Sequence, residues 1–372
     1  MTITHGDASH GRQRFVGIIQ NAAWTIGGCT LAAGGVLLML AILGFSPGHI
    51  LGLWFRGCAG DRYALADTLT KACPLLLTGL AAAITFRAGV FNIGAQGQLL
   101  IGAIAGIAVS TRWLGPDTSP IIGITACLLA GTAAGALWGL LASVLDFWRR
   151  VPVVLSTILL NFVALYLVKI LLHSYLEAHG TSAPQSSQVP PHFYLPILMH
   201  YTSLSLGVPI AAAVAVVLEF TQTMTAYGFQ TTAIGLNPLA ARLAGIPIIA
   251  RQVQAMLIGA GCAGLAGAIQ VLGVAHFMTP KFGNYGYAGI AVALLGRLDP
   301  VGVVLAALFF GALDAGAQRA EESTLGLPHE TANIIKAAVI LVMLIAGAWS
   351  MRRKLRVTAA ANVPSVGEGG VA

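Results

Sequence analysis

Charge is scarce in this sequence. Asp, Glu, Lys and Arg make up 9% of the 372 residues, against 57% hydrophobic. A soluble domain carries about a quarter charged residues, so a surface covered only by water is excluded and lipid must cover much of the chain. Signatures of catalysis are missing too. There is no Gly-Lys dipeptide, hence no G-x-x-x-x-G-K-[ST] phosphate loop, and the chain cannot hydrolyse ATP by that route. There is no H-E-x-x-H and no plausible G-x-S-x-G elbow, so no enzyme is expected. The five cysteines (Cys29, Cys58, Cys73, Cys127 and Cys262) include no C-x-x-C pair and read as small packing residues. The histidines fall mostly in loops or at span ends and read as solvated. No metal site and no cofactor bound by this chain are expected.

What is present is apolar length and glycine. The 45 glycines suit helices that approach closely in lipid. Apolar runs predict spans at 22–44, 68–86, 90–110, 120–145, 152–173, 204–222, 252–273, 285–297, 300–318 and 333–350. This is an all-α polytopic membrane protein of about ten transmembrane helices. The run 285–297 is short and reads as a half-helix or re-entrant segment. With the N-terminus in the cytoplasm, inside loops and ends hold twelve Lys and Arg, from Arg12 to Arg356. Outside loops hold five: Arg56, Arg62, Arg112, Lys281 and Arg319. That excess belongs inside, so both termini are expected in the cytoplasm. The net charge of +7 is thus a topology signal, and nucleic acid is not an expected partner. The organisation is a cytoplasmic segment 1–21, a membrane domain 22–350 and a cytoplasmic tail 351–372. Loop 174–203 is external, rich in Pro and Ser, and reads as irregular. Loop 223–251 is cytoplasmic.

Two segments echo one another. Asn92-Ile-Gly94-Ala-Gln-Gly97 and Asn284-Tyr-Gly286-Tyr-Ala-Gly289 both read N-x-G-x-x-G, and each opens a span of opposite direction. Inverted repeats with Gly-interrupted segments point to a transporter's substrate path. The candidate path residues are Asn92, Gln96, Gln98, Asn161, Asn284, Tyr285 and Tyr287, the uncharged polar groups that a neutral amphipathic solute requires. The competing role of such amides is hydrogen bonding between helices, and for Asn161 that role is the better fit.

The cytoplasmic loop contains a short capped helix written in full. Asn237 is an N-cap, Pro238 suits the first helical position, Gly245 can take the left-handed stop and Pro247 blocks continuation. Leu239 and Leu243 share one face and could fill a partner's groove or lie on lipid.

The form G-x-N-x-x-A-A-x-x-A-G-I from Gly235 to Ile246 resembles the coupling loop of binding-protein-dependent ABC importers, in the branch of nucleoside and simple-sugar permeases. TFRAGVFNIGAQGQLLIGA (Thr85–Ala103), VVLSTILLNFVALYL (Val153–Leu167) and GYAGIAVALLGRLDPVGVVLAALFFGAL (Gly286–Leu313) carry the same resemblance, which covers about Leu69 to Ile345. It implies a type II-like permease in the bacterial inner membrane. A separate ATPase would hold ATP and Mg²⁺ and dock on Gly235, Asn237, Pro238, Ala241, Arg242 and Gly245. A second permease, copy or paralogue, would complete the pore, and an external substrate-binding protein would deliver the ligand. Three residues depart from the family's pattern: Gln96 stands where an acid is usual, and Asp314 and Lys336 stand where charges are not. Both charges fall in the outer third of consecutive spans, so a structural ion pair is expected, with Arg319 as the competing partner of Asp314 and Lys336 then snorkelling to the surface. The rival reading is an ion-coupled secondary transporter or channel, which would need paired ionisable groups in the membrane; Asp314 and Lys336 are the main such pair.

Overall fold

The computed structural model describes residues 47–178, 184–280 and 282–323. Gly52–Leu325 is one compact unit, and nearly all of the other, Met1–Leu51 with Gly326–Ala372, lies outside the described residues. The expected spans 22–44 and 333–350, and Lys336 with them, lie outside as well.

The described residues are helical, with only two isolated β-bridges. In chain order the helices are α1 (Pro47–Ala59), α2 (Arg62–Arg87), α3 (Ala95–Ala108), α4 (Pro120–Arg149), α5 (Val153–Leu172), α6 (Gly207–Met224), α7 (Ala226–Leu236), α8 (Pro238–Leu243), α9 (Ile248–Gln270), α10 (Tyr285–Leu295) and α11 (Pro300–Ser323). Single π-helical turns, Val109–Trp113 and Val271–Ala275, extend α3 and α9. Among the described residues six helices are long and apolar enough to cross a membrane: α2, α4, α5, α6, α9 with its π turn, and α11 up to Arg319; α10 is apolar but short. The protein is a multi-pass membrane protein.

The core column is α2. Asp61 starts it by accepting a hydrogen bond from the Ala64 N–H at 2.7 Å. Of its apolar stretch 83% is buried, against 22% for α4 and 28% each for α5 and α6. A helix apolar all round and buried all round belongs at the centre, whereas the other three turn broad faces outward. Helices α3, α4 and α9 pack through small residues. The buried stripe of α4 is Gly123, Cys127, Gly131, Gly135 and Gly139, one residue every turn. With no hydrophobic drive between helices in lipid, close backbone approach supplies the dispersion energy of association.

Three segments differ from expectation. Helix α1 forms in a stretch read as an external link, and the Trp54 indole N–H donates to the Leu313 carbonyl at 3.0 Å, binding α1 to α11. The loop after α5 is not irregular. The N–H groups of Ser186, Val189 and Leu195 donate to the carbonyls of Met278, His276 and Leu272 at 2.9–3.0 Å. Phe193 is fully buried, and His276 stacks on Tyr194 at 3.7 Å rather than standing in solvent. A loop drawn onto the bundle must pair its backbone, and the strand-like exchange with 272–278 does so. The connection after α6 contains α7, a full helix opened by Thr225, as well as the expected short one.

Candidate functional site

The two N-x-G-x-x-G segments meet. Helix α10 runs alongside α2: the Thr78 hydroxyl donates to the Tyr285 carbonyl at 3.0 Å at its start, and Arg87 reaches Asp299 at 4.0 Å beyond its end. Its 11 residues span about 16 Å, about half of the hydrocarbon core. Helix α3 starts at the same point and runs the other way beside α5. The backbone of Gly286 lies against Gln96 and Ala95, where a Cβ would come within 2.7 Å of the Ala95 carbonyl carbon. Only glycine fits so close to another backbone.

Gln96 fastens this contact from α3. Its Oε1 accepts from the Gly286 N–H at 2.9 Å, and its Nε2 donates to the Gly283 carbonyl at 2.7 Å. Asn92 and Gln98 form a reciprocal amide pair, at 3.1 and 3.2 Å, and the Asn92 Oδ1 also accepts from the Gly94 N–H at 2.8 Å. Asn161 on α5 accepts from the Gly97 N–H at 2.8 Å and donates to the Ile93 carbonyl at 2.9 Å. Asn92, Gln96, Gln98 and Asn161 are all buried, and their amides satisfy one another and the backbone. Asn284 and Tyr287 are exposed and Tyr285 is half-buried. The seven residues therefore divide: four hold the frame, and three at the start of α10 present polar atoms. No charged side chain belongs to this set. Among the described residues no group of His, Cys, Asp or Glu could hold a metal ion.

Around Asp314 the arrangement involves a lysine unassigned by the sequence. Lys71 on α2 pairs with Asp67 at 3.1 Å, bonds Gln318 and donates to the Asp314 carbonyl at 3.4 Å. The i, i+4 spacing of Asp67 and Lys71 was the available signal.

Helix α8 has the caps its sequence spells. The Asn237 Oδ1 accepts from the Ala240 N–H at 3.0 Å. At the other end the Ile246 N–H donates to the Ala241 carbonyl and the Gly245 N–H to the Arg242 carbonyl, both at 3.0 Å, with Gly245 at φ 76°. This is the six-to-one and five-to-two pairing of a glycine stop. Ala241 is buried, whereas Leu236, Leu239 and Leu243 are 82%, 68% and 83% exposed and Arg242 is exposed. Gly235 on α7 has no room for a side chain, because a Cβ there would collide with the Arg87 carbonyl. Arg87 also donates to the Thr232 hydroxyl at 3.0 Å. The turn that starts at Arg87 leads within ten residues to Asn92 and Gln96. The α7–α8 unit thus touches, at Arg87, the start of the turn that leads to the α3–α10 junction.

Residues 64–346 match the family described as branched-chain amino acid transport system / permease component. The guanosine ABC transporter permease protein NupP of Bacillus subtilis is 34% identical over 87% of this chain and 91% of its own. A glucose ABC transporter permease protein of Haloferax volcanii is 33% identical over 84% of each chain. A second guanosine permease protein of Bacillus subtilis, NupQ, is 29% identical over 66% of this chain and 79% of its own. The chain belongs to this family of ABC transporter permeases.

Proposed function

We propose that this permease forms the path by which an ATP-driven importer carries nucleosides, or simple sugars, across a bacterial inner membrane, with both termini in the cytoplasm. The observation that carries this reading is the α7–α8 unit: a capped helix with exposed leucines, seated through Gly235 on the turn that leads to the α3–α10 junction. An ATPase holding ATP and Mg²⁺ docks there and moves the junction. The path is taken to run past Asn284, Tyr285 and Tyr287, with Asn92, Gln96, Gln98 and Asn161 as its frame. The seven named groups are polar and uncharged, which suits a neutral hydroxylated solute, and the carboxylates of Asp67 and Asp314 stand near Tyr285. The names of two relatives, for guanosine and glucose, support that class. That two different guanosine permeases of one organism both match this chain supports a paralogous partner permease. An external substrate-binding protein completes the complex.

The test is purification of the tagged chain from its own cells, followed by uptake in proteoliposomes. An ATPase subunit is expected in the complex. Labelled guanosine should accumulate only with ATP inside the cytoplasmic face's compartment and with the binding protein present, with glucose as the second solute tried. Uptake driven by an ion gradient without ATP would establish the secondary-transporter reading instead.

The pairing of Asp314 with Lys336, which lies outside the described residues, stays part of this proposal, and the Asp314 carbonyl accepts from Lys71. A double-mutant cycle checks it. Asp314→Asn should cost more stability than the two substitutions together, because a lone lysine in an apolar span costs at least about 2.5 kcal/mol, whereas after Lys336→Gln the acid keeps Lys71 beside it. Damage in the double variant equal to the sum of the singles means that the two do not interact.

A further inference from the structure

Two helix N-termini meet at the junction, and each carries roughly half a positive charge. They repel unless their free N–H groups are matched, and neither is matched by its own residue. The N-cap position of α3 is Gly94, which has no side chain, and the Gly97 N–H is served by Asn161 of α5. The N-cap position of α10 is Asn284, one of the best capping residues. Yet the Asn284 side chain makes no capping bond. The Gly286 N–H, in the first turn of α10, is served by Gln96 of α3.

The same residue type behaves differently elsewhere in this chain. Asn237 caps α8 from within, with φ −154° and ψ 94° and its Oδ1 on the Ala240 N–H. Asn284 sits at φ −97° and ψ 36°, outside the extended region a capping residue normally takes, and is exposed. The difference is in the setting. The counterpart on α10 of the Ala240 N–H that Asn237 takes is the Tyr287 N–H, to which Asn284 makes no capping bond while the Gly286 N–H is held by Gln96. Its second bond, to the Gly283 carbonyl, holds the backbone just before Asn284. A rotation of that backbone into the extended region would let Asn284 accept from the first turn, provided Gln96 had withdrawn.

We propose that the N-terminus of α10 has two alternative caps, Gln96 across the junction when α3 and α10 are together and Asn284 from its own chain when they part, and that this exchange is the latch of the permease's gate. A gate closed only by a cross-helix bond would strand a donor on opening. Here the loss is offset by a bond of the same kind, so the two states stay close in energy, which a bistable element requires. A neutral amide is suited to the role, because it accepts from Gly286 and donates to Gly283 at once. A carboxylate could only accept. The inference rests on the proposed permease role in one respect, that the α3–α10 junction is a moving part.

The test uses the complete importer in lipid nanodiscs, with spin labels at Phe91→Cys and Leu294→Cys, both exposed, in a chain whose native cysteines are alanine. Inter-label distances are measured without nucleotide and after trapping with ATP and vanadate. The wild-type distribution should differ between the two conditions. Gln96→Met, of similar volume, should raise the parted population without nucleotide by about fivefold to thirtyfold, the loss of one to two ordinary hydrogen bonds. Asn284→Ala should act oppositely and lower the parted population under trapping by about fivefold, the value of one cap. If Gln96→Met does not accumulate, Gln96→Glu takes its place. Its parted population should fall as the pH is lowered and the carboxyl gains the proton it needs to donate to Gly283. Packing alone predicts equal distributions for wild type and Gln96→Met and no opposite effect of Asn284→Ala. Either that result or a wild-type junction unmoved by trapping overturns the latch. Uptake by the unlabelled wild type is measured in parallel. Its loss would count against the permease reading, and intact uptake with unmoved distances counts against the latch alone.

Discussion

An importer carrying Leu239→Asp and Leu243→Asp in this chain should retain little ATPase after detergent extraction and take up solute at background rate. The two leucines are 68% and 83% exposed on a helix whose other face is fixed by buried Ala241. Burying one leucine in a partner's groove is worth about 1.5–3 kcal/mol. Losing both weakens docking by at least about 100-fold, since every 1.4 kcal/mol is a factor of ten. The charges add a desolvation cost in the same direction. Gly245→Val tests the same element without touching its surface. At φ 76° a β-branched residue is strained by about 1–2 kcal/mol, so the stop that orients α8 would be lost. That variant should reach the membrane in normal amount but hydrolyse ATP without transport. Arg242→Glu, reversing an exposed charge beside the leucines, belongs in the same series. Normal ATPase retention and normal uptake in all three would remove the docking role of α8.

That helix was legible from sequence because its determinants are local. Asn237, Pro238, Gly245 and Pro247 lie within eleven residues, and each acts on the backbone beside it. The two N-x-G-x-x-G segments could be noticed for the same reason. Their contact could not, because Gln96 and Gly286 are 190 residues apart and nothing local pairs an amide with a distant N–H. Burial divides the polar residues for a related cause. A sequence shows that Asn92, Asn161 and Asn284 are amides in apolar runs, but only packing decides which find partners. The loop 174–203 misled because Pro and Ser mark irregular backbone without saying what it rests on. Its anchor is Phe193 over Gly123 at the start of α4. The abundance of glycine pointed to close helix packing, but not to the every-fourth stripe of small residues on α4 or to the helix it meets.

The helix it meets is α9, and the meeting point predicts the largest effect on the fold. Around Gly264 three backbones converge. A Cβ there would strike the Gly131 carbonyl oxygen and lie 2.8 Å from the Gly135 Cα, while one on Gly135 would lie 2.6 Å from the Gly264 Cα. One on Gly102 of α3 would strike the Gly264 carbonyl. None of these contacts is to a flexible side chain, so a substitution must separate helices rather than turn a rotamer. Gly264→Ala should cost about 1–3 kcal/mol, as overpacking does in a close-packed core. Gly264→Leu should abolish the α3–α4–α9 packing and with it membrane accumulation. The comparison that makes this specific is Gly106→Ala, on the same face of α3 one turn further on. There a Cβ meets its nearest atom, the Ala268 Cβ, at 3.6 Å, an ordinary contact. The added methyl fits, and replacing glycine within a helix gains roughly 0.5–1 kcal/mol. Thermal unfolding of the purified proteins in detergent should therefore move in opposite directions for these two alanines. Equal melting temperatures would mean that close backbone approach at Gly264 is not what holds the three helices together.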